Sequence, residues 1–278
     1  MNRIPLHKDW QSKTQYIDLP TGIRMYYMES GDPQAEPLLL IHGLCDSSRI
    51  WRRLMCELGD KYHIFAIDCR GAGQTDKPKE FAYMPAEHAL DIAAFLDAVQ
   101  VRSAYVLAHS MGTMIAQALA FTAPERVQKL FMAAPMVRGL DDAAALHAQY
   151  DQYETMDTAS MPQKRLQELF LPYPENCRDP EFPDGFFTTL RGTPAWAIRA
   201  AWFGANMADH RNFVQFIQAP VMMIWGNRDT VLGETYQKEV RACFPHAPYL
   251  VMDGISHEIP NEMPEKLAAL ATTFFAQK

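Results

Sequence analysis

The chain has 278 residues, of which 48% are hydrophobic and 21% are charged, and its formal net charge is −7. This length and this apolar content are sufficient for one large buried core. A net negative chain is not attracted to nucleic acid or to an anionic membrane surface, so we expect neither as a partner. Small neutral or apolar molecules remain as the expected ligands, and a homo-oligomer is compatible with the composition.

The N-terminal residues and the cysteines predict a cytoplasmic protein without a disulfide framework. Charges and a proline interrupt residues 1–9, so they lack the apolar run of a secretory signal. The five cysteines are odd in number and show neither CxxC nor metal-ligand spacing, which is typical of free thiols packed as small hydrophobic side chains. We therefore expect no metal and no organic cofactor.

The predicted elements alternate between strands and helices. A hairpin over residues 14–27 comes first, and the unbroken apolar run 37–41 is typical of a strand buried on both faces of a parallel sheet. Apolar residues at helical spacing then predict a helix that begins near Trp51 and ends at Gly59. Further strands are predicted over residues 62–67, 104–108 and 127–133, and further helices near 92–99 and over 111–121. This order predicts a doubly wound, mostly parallel α/β sheet.

The alternation stops between residues 135 and 216, where polar helical stretches, prolines and aromatic residues replace the buried strands. It resumes with strands over 219–225 and 249–252 and helices over 234–243 and 264–275. We therefore predict one core, formed by residues 1–134 and 217–278, and a helical cap inserted at 135–216.

Ser110 lies between a predicted strand and a predicted helix, in the sequence Ala108-His109-Ser110-Met111-Gly112. A tight strand-to-helix turn holds such a serine above the sheet, and small flanking residues let the two elements approach closely. This is the context of the G-x-S-x-G nucleophile motif, although Ala108 replaces the first glycine. The alternative role for Ser110 is that of a helix cap. We predict that it is a nucleophile.

A serine nucleophile requires a base, and the base requires an acid to orient it. Of the nine histidines, His257 follows the last predicted strand, whereas His42 and His109 lie at turns where a structural role is expected. Asp229 directly follows a buried strand and is the predicted acid. Asp253 is the alternative, but its closeness to His257 in sequence favours a turn residue. The order Ser, acid, His is the order of α/β hydrolases.

Two backbone amides are predicted to stabilise an oxyanion. One is the N–H of Met111, which follows the nucleophile, and the other is the N–H of Leu44, which follows His42-Gly43. Both donors belong to the main chain, so their side chains are free to shape an apolar pocket.

Taken together, these segments resemble the α/β-hydrolase superfamily, in its group of small capped esterases, lactonases and C–C hydrolases, over nearly the whole chain. The resemblance is carried by residues 41–44 with Trp51, by residues 68–76 and 123–127, and by the segments around Ser110, Asp229 and His257. It implies the α/β-hydrolase fold and a Ser-Asp-His triad. The substrate must be argued from the site itself.

The predicted cap is rich in aromatic residues and arginines, so we expect an apolar substrate pocket beneath it. The residues expected to line this pocket are His42, Cys45, Arg138, Tyr150, Trp196, Arg199 and Trp202. One hypothesis is that Arg138 or Arg199 anchors a substrate carboxylate; the alternative is that both are solvated surface charges.

The predicted reaction is hydrolysis of a carboxylic ester, lactone or amide of a small, largely apolar or aromatic substrate through an acyl-enzyme. C–C bond hydrolysis of a meta-cleavage type diketone and cofactor-free oxygenase or lyase chemistry are the alternatives, and a non-catalytic binding module is a third. C–C hydrolases usually carry a glycine-rich stretch after His-Gly and a Trp after the catalytic His. This chain has Leu44-Cys45-Asp46 and Glu258 instead, which favours ester, lactone or amide substrates.

Overall fold

A computed structural model describes residues 13–79, 83–140, 158–162, 177 and 182–277. The strands are β1 Lys13–Asp18, β2 Arg24–Ser30, β3 Pro37–Ile41, β4 His63–Ile67, β5 Ala104–His109, β6 Val127–Ala133, β7 Val221–Gly226 and β8 Tyr249–Met252. The helices of the described residues are α1 Arg52–Leu58, α2 Pro85–Ala98, α3 Met111–Thr122, α4 Phe182–Gly192, α5 Ala195–Met207, α6 Glu234–Cys243, α7 Ile259–Glu262 and α8 Pro264–Ala276. None of them is long and apolar enough to cross a membrane.

The strands form one eight-stranded sheet in the described part of the chain, in the order β1-β2-β4-β3-β5-β6-β7-β8. The β1–β2 and β2–β4 pairs are antiparallel, and the pairs from β4–β3 onward are parallel. The predicted doubly wound, mostly parallel sheet is thus confirmed. Because parallel strands end at the same edge of a sheet, the loops after β3, β5, β7 and β8 converge there.

The centre of the sheet is fully buried, as the apolar run of β3 predicts. Leu38, Leu39, Leu40 and Ile41 are all 0% exposed because helices cover both faces. The α3 helix is buried at every position from Met111 to Ala120 and packs against α2 and against β5 and β6. A helix buried all round provides a rigid support for the residue that precedes it, Ser110.

Helices α4 and α5 occupy the end of the segment predicted as a cap. The described part of this segment contributes no strand to the sheet, and its β pairing is limited to an isolated antiparallel bridge between Arg138 and Asp209. Five apolar residues of the two helices form a small cluster that also packs against Cys45 of the β3 loop; they are Phe186, Phe187, Leu190, Ala195 and Ile198. The segment thus contacts the carboxyl edge of the sheet, whereas its extent as a separate cap, 135–216, stays a prediction.

Candidate active site

Ser110 stands at a strained turn between β5 and α3. Its φ of 52° and ψ of −125° fall in a region that a non-glycine residue rarely adopts, and such strain persists only where the surroundings enforce it. At Gly112 a Cβ atom would overlap the carbonyl oxygens of Ile41 and His42, so only glycine lets the β3 loop approach the start of α3. Ala108, the departure from the glycine motif, lies fully buried within β5.

A continuous chain of hydrogen bonds joins Ser110, His257 and Asp229. The Ser110 hydroxyl donates to Nε2 of His257 at 2.9 Å, and Nδ1–H of His257 donates to Oδ2 of Asp229 at 2.8 Å. The other carboxylate oxygen of Asp229 accepts the backbone N–H groups of Val231 and Leu232, each at 2.8 Å. The structure therefore brings together the three residues predicted from widely separated parts of the sequence, and it holds the carboxylate in a fixed orientation.

The pKa values of Asp229 and His257 are shifted in opposite directions. Burial alone would lower the pKa of His257, but the Asp229 carboxylate and its hydrogen bond raise it above the ordinary value. Burial opposes ionisation of Asp229, yet the His257 ring and the two backbone N–H groups lower its pKa. Asp229 is therefore ionised at neutral pH, and His257 is stabilised in its protonated form, as a base that receives a proton requires.

His109 positions the His257 loop and is not a base. Its Nε2–H donates to the carbonyl oxygen of His257 at 2.8 Å. Burial lowers the pKa of His109 to about 3, so its ring is neutral at physiological pH. The structural role expected for His109 agrees with this geometry.

The structure corrects the expectation that His42 lines a substrate pocket. Its side chain is 0% exposed, and both ring nitrogens are engaged. Nε2 accepts the backbone N–H of Cys69 at 3.0 Å, so in the neutral ring the proton lies on Nδ1, which donates to the Gly43 carbonyl at 2.7 Å. The carbonyl of Gly43 and the N–H of Leu44 belong to one planar trans peptide and point in opposite directions. His42 therefore holds the Leu44 N–H facing away from itself.

The two predicted oxyanion donors lie on the elements that flank Ser110. Met111 is the first residue of α3, so its N–H has no partner within the helix. Leu44 follows Gly43, where a Cβ atom would come 3.0 Å from Cβ of Ser110. The loop that carries Leu44 thus packs directly on the turn that carries the serine.

Replacing His42 by leucine is expected to lower kcat about 10-fold to 10²-fold with little change in KM, because the Leu44 peptide loses the hydrogen bond that orients it. His42→Gln, whose amide N–H can still reach the Gly43 carbonyl, should recover part of the loss. His63→Leu is the matched control, since His63 binds Glu29 at the other edge of the sheet. Steady-state kinetics check the prediction, and an unchanged kcat in His42→Leu would contradict it.

The remaining residues predicted for the pocket have different surroundings. Cys45 packs against α4 and α5, and burial raises the pKa of its thiol, so it is a neutral apolar contact. Arg138 forms an ion pair with Glu239 at 2.6 Å, which favours a structural role over the anchoring of a substrate carboxylate. Trp196, Arg199 and Trp202 are half-buried on α5, where Trp196 packs on Tyr83 with ring centroids 6.4 Å apart. Tyr150 lies outside the described residues.

Two buried carboxyl groups beside the site were not predicted. Asp46, in the loop after β3, and Glu258, next to His257, are each 6% exposed. Burial raises the pKa of both groups. The Glu258 carboxyl raises the pKa of Asp46 further, and Glu262 raises that of Glu258. Glu258 accepts the amide N–H of Asn261 at 2.9 Å. The sequence signal was an acid four residues after His42, in the loop that carries Leu44, and another directly after His257.

Residues 36–262 match the model of the alpha/beta hydrolase fold family, a range that contains the strands from β3 to β8. The chain belongs to the α/β-hydrolase family. The expected resemblance is therefore confirmed.

Relatives of this α/β hydrolase span nearly its whole length. An uncharacterized hydrolase, YugF, from Bacillus subtilis (strain 168) is 23% identical over 252 residues, which are 89% of this chain and 92% of that protein. An enol-lactonase from Burkholderia xenovorans LB400 superposes with a TM-score of 0.83 at 18% identity and covers 95% of this chain and 100% of its own. A thermophilic esterase from Thermogutta terrifontis superposes with a TM-score of 0.77 at 19% identity, over 95% of this chain and 98% of its own. At these identities the structural likeness shows the fold.

Proposed function

We propose that this α/β hydrolase cleaves a carboxylic ester, lactone or amide of a small substrate through an acyl-enzyme. The observation that carries the proposal is the hydrogen-bond chain from the Ser110 hydroxyl through His257 to Asp229, at 2.9 and 2.8 Å. A serine hydroxyl becomes nucleophilic when a neighbouring base accepts its proton, and this chain supplies the base and its orienting acid.

In the proposed reaction, Oγ of Ser110 attacks the substrate carbonyl carbon while Nε2 of His257 takes the hydroxyl proton. The backbone N–H groups of Leu44 and Met111 bind the oxyanion of the tetrahedral intermediate. His257 then gives its proton to the leaving group, and a water molecule deprotonated by His257 hydrolyses the acyl-enzyme. Asp229 stays ionised and stabilises the protonated ring in both halves.

A fluorophosphonate probe tests the proposal, because such probes bond covalently to an activated serine. We expect labelling of the intact chain, located at Ser110 by peptide mass analysis and lost in His257→Ala. The control is His210→Ala, which alters a buried histidine whose Nδ1 contacts Gln117 and which has no contact with Ser110. A chain that stays unlabelled at Ser110 but consumes oxygen during turnover would favour a cofactor-free oxygenase and contradict the acyl-enzyme.

A substrate panel separates the bond types. Short acyl esters, lactones and amides test the proposed reaction, and a meta-cleavage type diketone tests C–C hydrolysis. The chain lacks the glycine-rich stretch usual in C–C hydrolases after His42-Gly43, so we expect turnover of the acyl esters, lactones or amides and none of the diketone.

A further inference from the structure

A cleft of about 550 Å³ lies between the sheet and α4. It is bounded by the first two strands, by the loops after β3 and β4, and by the last turns of α4. The residues that line it are Thr14, Tyr26, Met28, Ser47, Ser48, Arg49, Arg52, Asp68, Gly73, Gln74, Thr188, Thr189 and Gly192. Neither Ser110 nor His257 is among them, so this cleft is distinct from the site described above. Its volume suits a small molecule.

Two arginines give the cleft a positive wall. Arg49 is exposed, and its guanidinium forms no hydrogen bond or ion pair with any residue that the structure describes; its backbone carbonyl accepts the N–H of Arg52. Arg52, three residues later, contributes a second, half-buried guanidinium. Asp68 is the acid of the lining, but its two oxygens already accept the N–H groups of Ser48 and Gln74, each at 2.7 Å. The Arg49 guanidinium is therefore available to a ligand, with its planar set of donors.

Hydroxyl groups from both sides complete the lining. Ser48 is 1% exposed, and its hydroxyl has no hydrogen-bond partner among the described residues. Buried polar groups in proteins are nearly always hydrogen-bonded, so an unpaired one in a cleft wall points to a missing ligand atom. Across the cleft, the hydroxyls of Ser47 and Thr189 lie 3.2 Å apart, which joins the β3 loop to α4. Thr188 lies beside them on the same helix.

We propose that this cleft binds a small anion, a carboxylate or phosphate group, between the β3 loop and α4. The positively charged guanidinium of Arg49 attracts a negatively charged ligand, and the Ser48 hydroxyl supplies a further hydrogen-bond donor. Such an anion would bridge the two parts that Ser47 and Thr189 already join. The anionic group belongs either to the substrate or to a separate metabolite.

The cleft and the oxyanion loop are close enough for one substrate to reach both. Ser47 follows Leu44 by three residues, and an extended chain spans at most about 3.6 Å per residue, so their Cα atoms lie within about 11 Å. A substrate with a carboxylate several bonds from its reactive carbonyl fits within this limit. Under the proposed function, the cleft would then select dicarboxylic monoesters or phosphorylated esters.

Isothermal titration with inorganic phosphate and with glutarate, at constant ionic strength, tests binding without relying on turnover. We expect Arg49→Gln to weaken the affinity for at least one of these anions about 10-fold or more, and Ser48→Ala to weaken it less, by about 2-fold to 10-fold. Arg102→Gln is the matched control, because it removes the same charge from an exposed arginine just before β5, at the opposite edge of the sheet. Absence of binding, or equal binding by Arg49→Gln and the intact chain, would overturn the proposal.

A pair of esters identifies the source of the anion. A p-nitrophenyl ester with a terminal carboxylate and its neutral methyl ester are compared by kcat/KM in the intact chain and in Arg49→Gln. If the substrate carries the anion, Arg49→Gln lowers kcat/KM for the charged ester about 10-fold or more and changes the neutral ester less than about 2-fold. If the anion is separate, both esters respond alike while titration still detects binding. Should neither ester be hydrolysed, the proposed function fails, whereas the titration result for the cleft stands.

Discussion

The Ser110→Ala variant is expected to lose about 10⁴-fold or more in kcat toward the best ester or lactone of the panel, with thermal stability nearly unchanged. The loss follows because alanine has no atom that can form the acyl-enzyme, and the residual rate comes from the oxyanion donors and substrate binding alone. Stability is nearly unchanged because the variant loses the hydrogen bond to His257, which contributes only about 1 kcal/mol net, and the smaller alanine side chain fits the same turn. Steady-state kinetics and thermal unfolding measure the two quantities.

Ser103→Ala is the matched control for this variant. Ser103 directly precedes β5, at the opposite end of the strand that leads to Ser110, and its hydroxyl accepts an N–H from Gln128 at 3.2 Å. We expect its kcat to stay within about 2-fold of the intact chain, because surface changes far from a site have small effects. A Ser110→Ala variant that kept the kcat of the intact chain would disprove the nucleophile.

The order of the strands explains why the sequence was informative about Ser110, Asp229 and His257. Ser110 and Asp229 follow the buried strands β5 and β7, and His257 follows the edge strand β8, whose apolar residues also mark a strand. Parallel strands deliver the residues after them to one edge of the sheet. The expectation that they meet therefore rested on topology, and the hydrogen-bond geometry agrees with it. The start of α2 at Pro85 and the short α7 were not predicted, because neither begins with a clear apolar repeat.

The sequence was less informative where a role depends on contacts between distant segments. His42 was expected at a turn with a structural role and was also counted among the pocket residues; its ring turns inward and binds the backbone of Cys69, 27 residues away. Arg49 was not singled out because its neighbours in the cleft come from β1, the β4 loop and α4. Burial of Asp46 and Glu258 likewise depends on how the loops pack, and a local sequence pattern does not predict that packing.

The Asp229→Asn variant is expected to lose about 10⁴-fold in kcat while keeping the fold. The carboxylate accepts three hydrogen bonds, from Val231, Leu232 and His257. Asparagine has one oxygen, which the two backbone N–H groups retain, so its amide N–H₂ faces Nδ1 of His257. The ring then holds its proton on Nε2, and Nε2 can no longer accept the proton of Ser110.

The same variant should also change the dependence of kcat/KM on pH. The reaction requires neutral His257, whose pKa is raised, so activity of the intact chain is full at alkaline pH and is lost as pH falls through a midpoint above about 6.5. In Asp229→Asn the carboxylate that raises the pKa of His257 is gone and burial still lowers this pKa, so the midpoint of the residual activity moves to lower pH.

Asp253→Asn is the control: Asp253 is exposed, binds Asn227 at 2.8 Å, and was the alternative acid. Its variant should keep both the rate and the midpoint; if it shows the large loss instead, Asp253 rather than Asp229 orients the base.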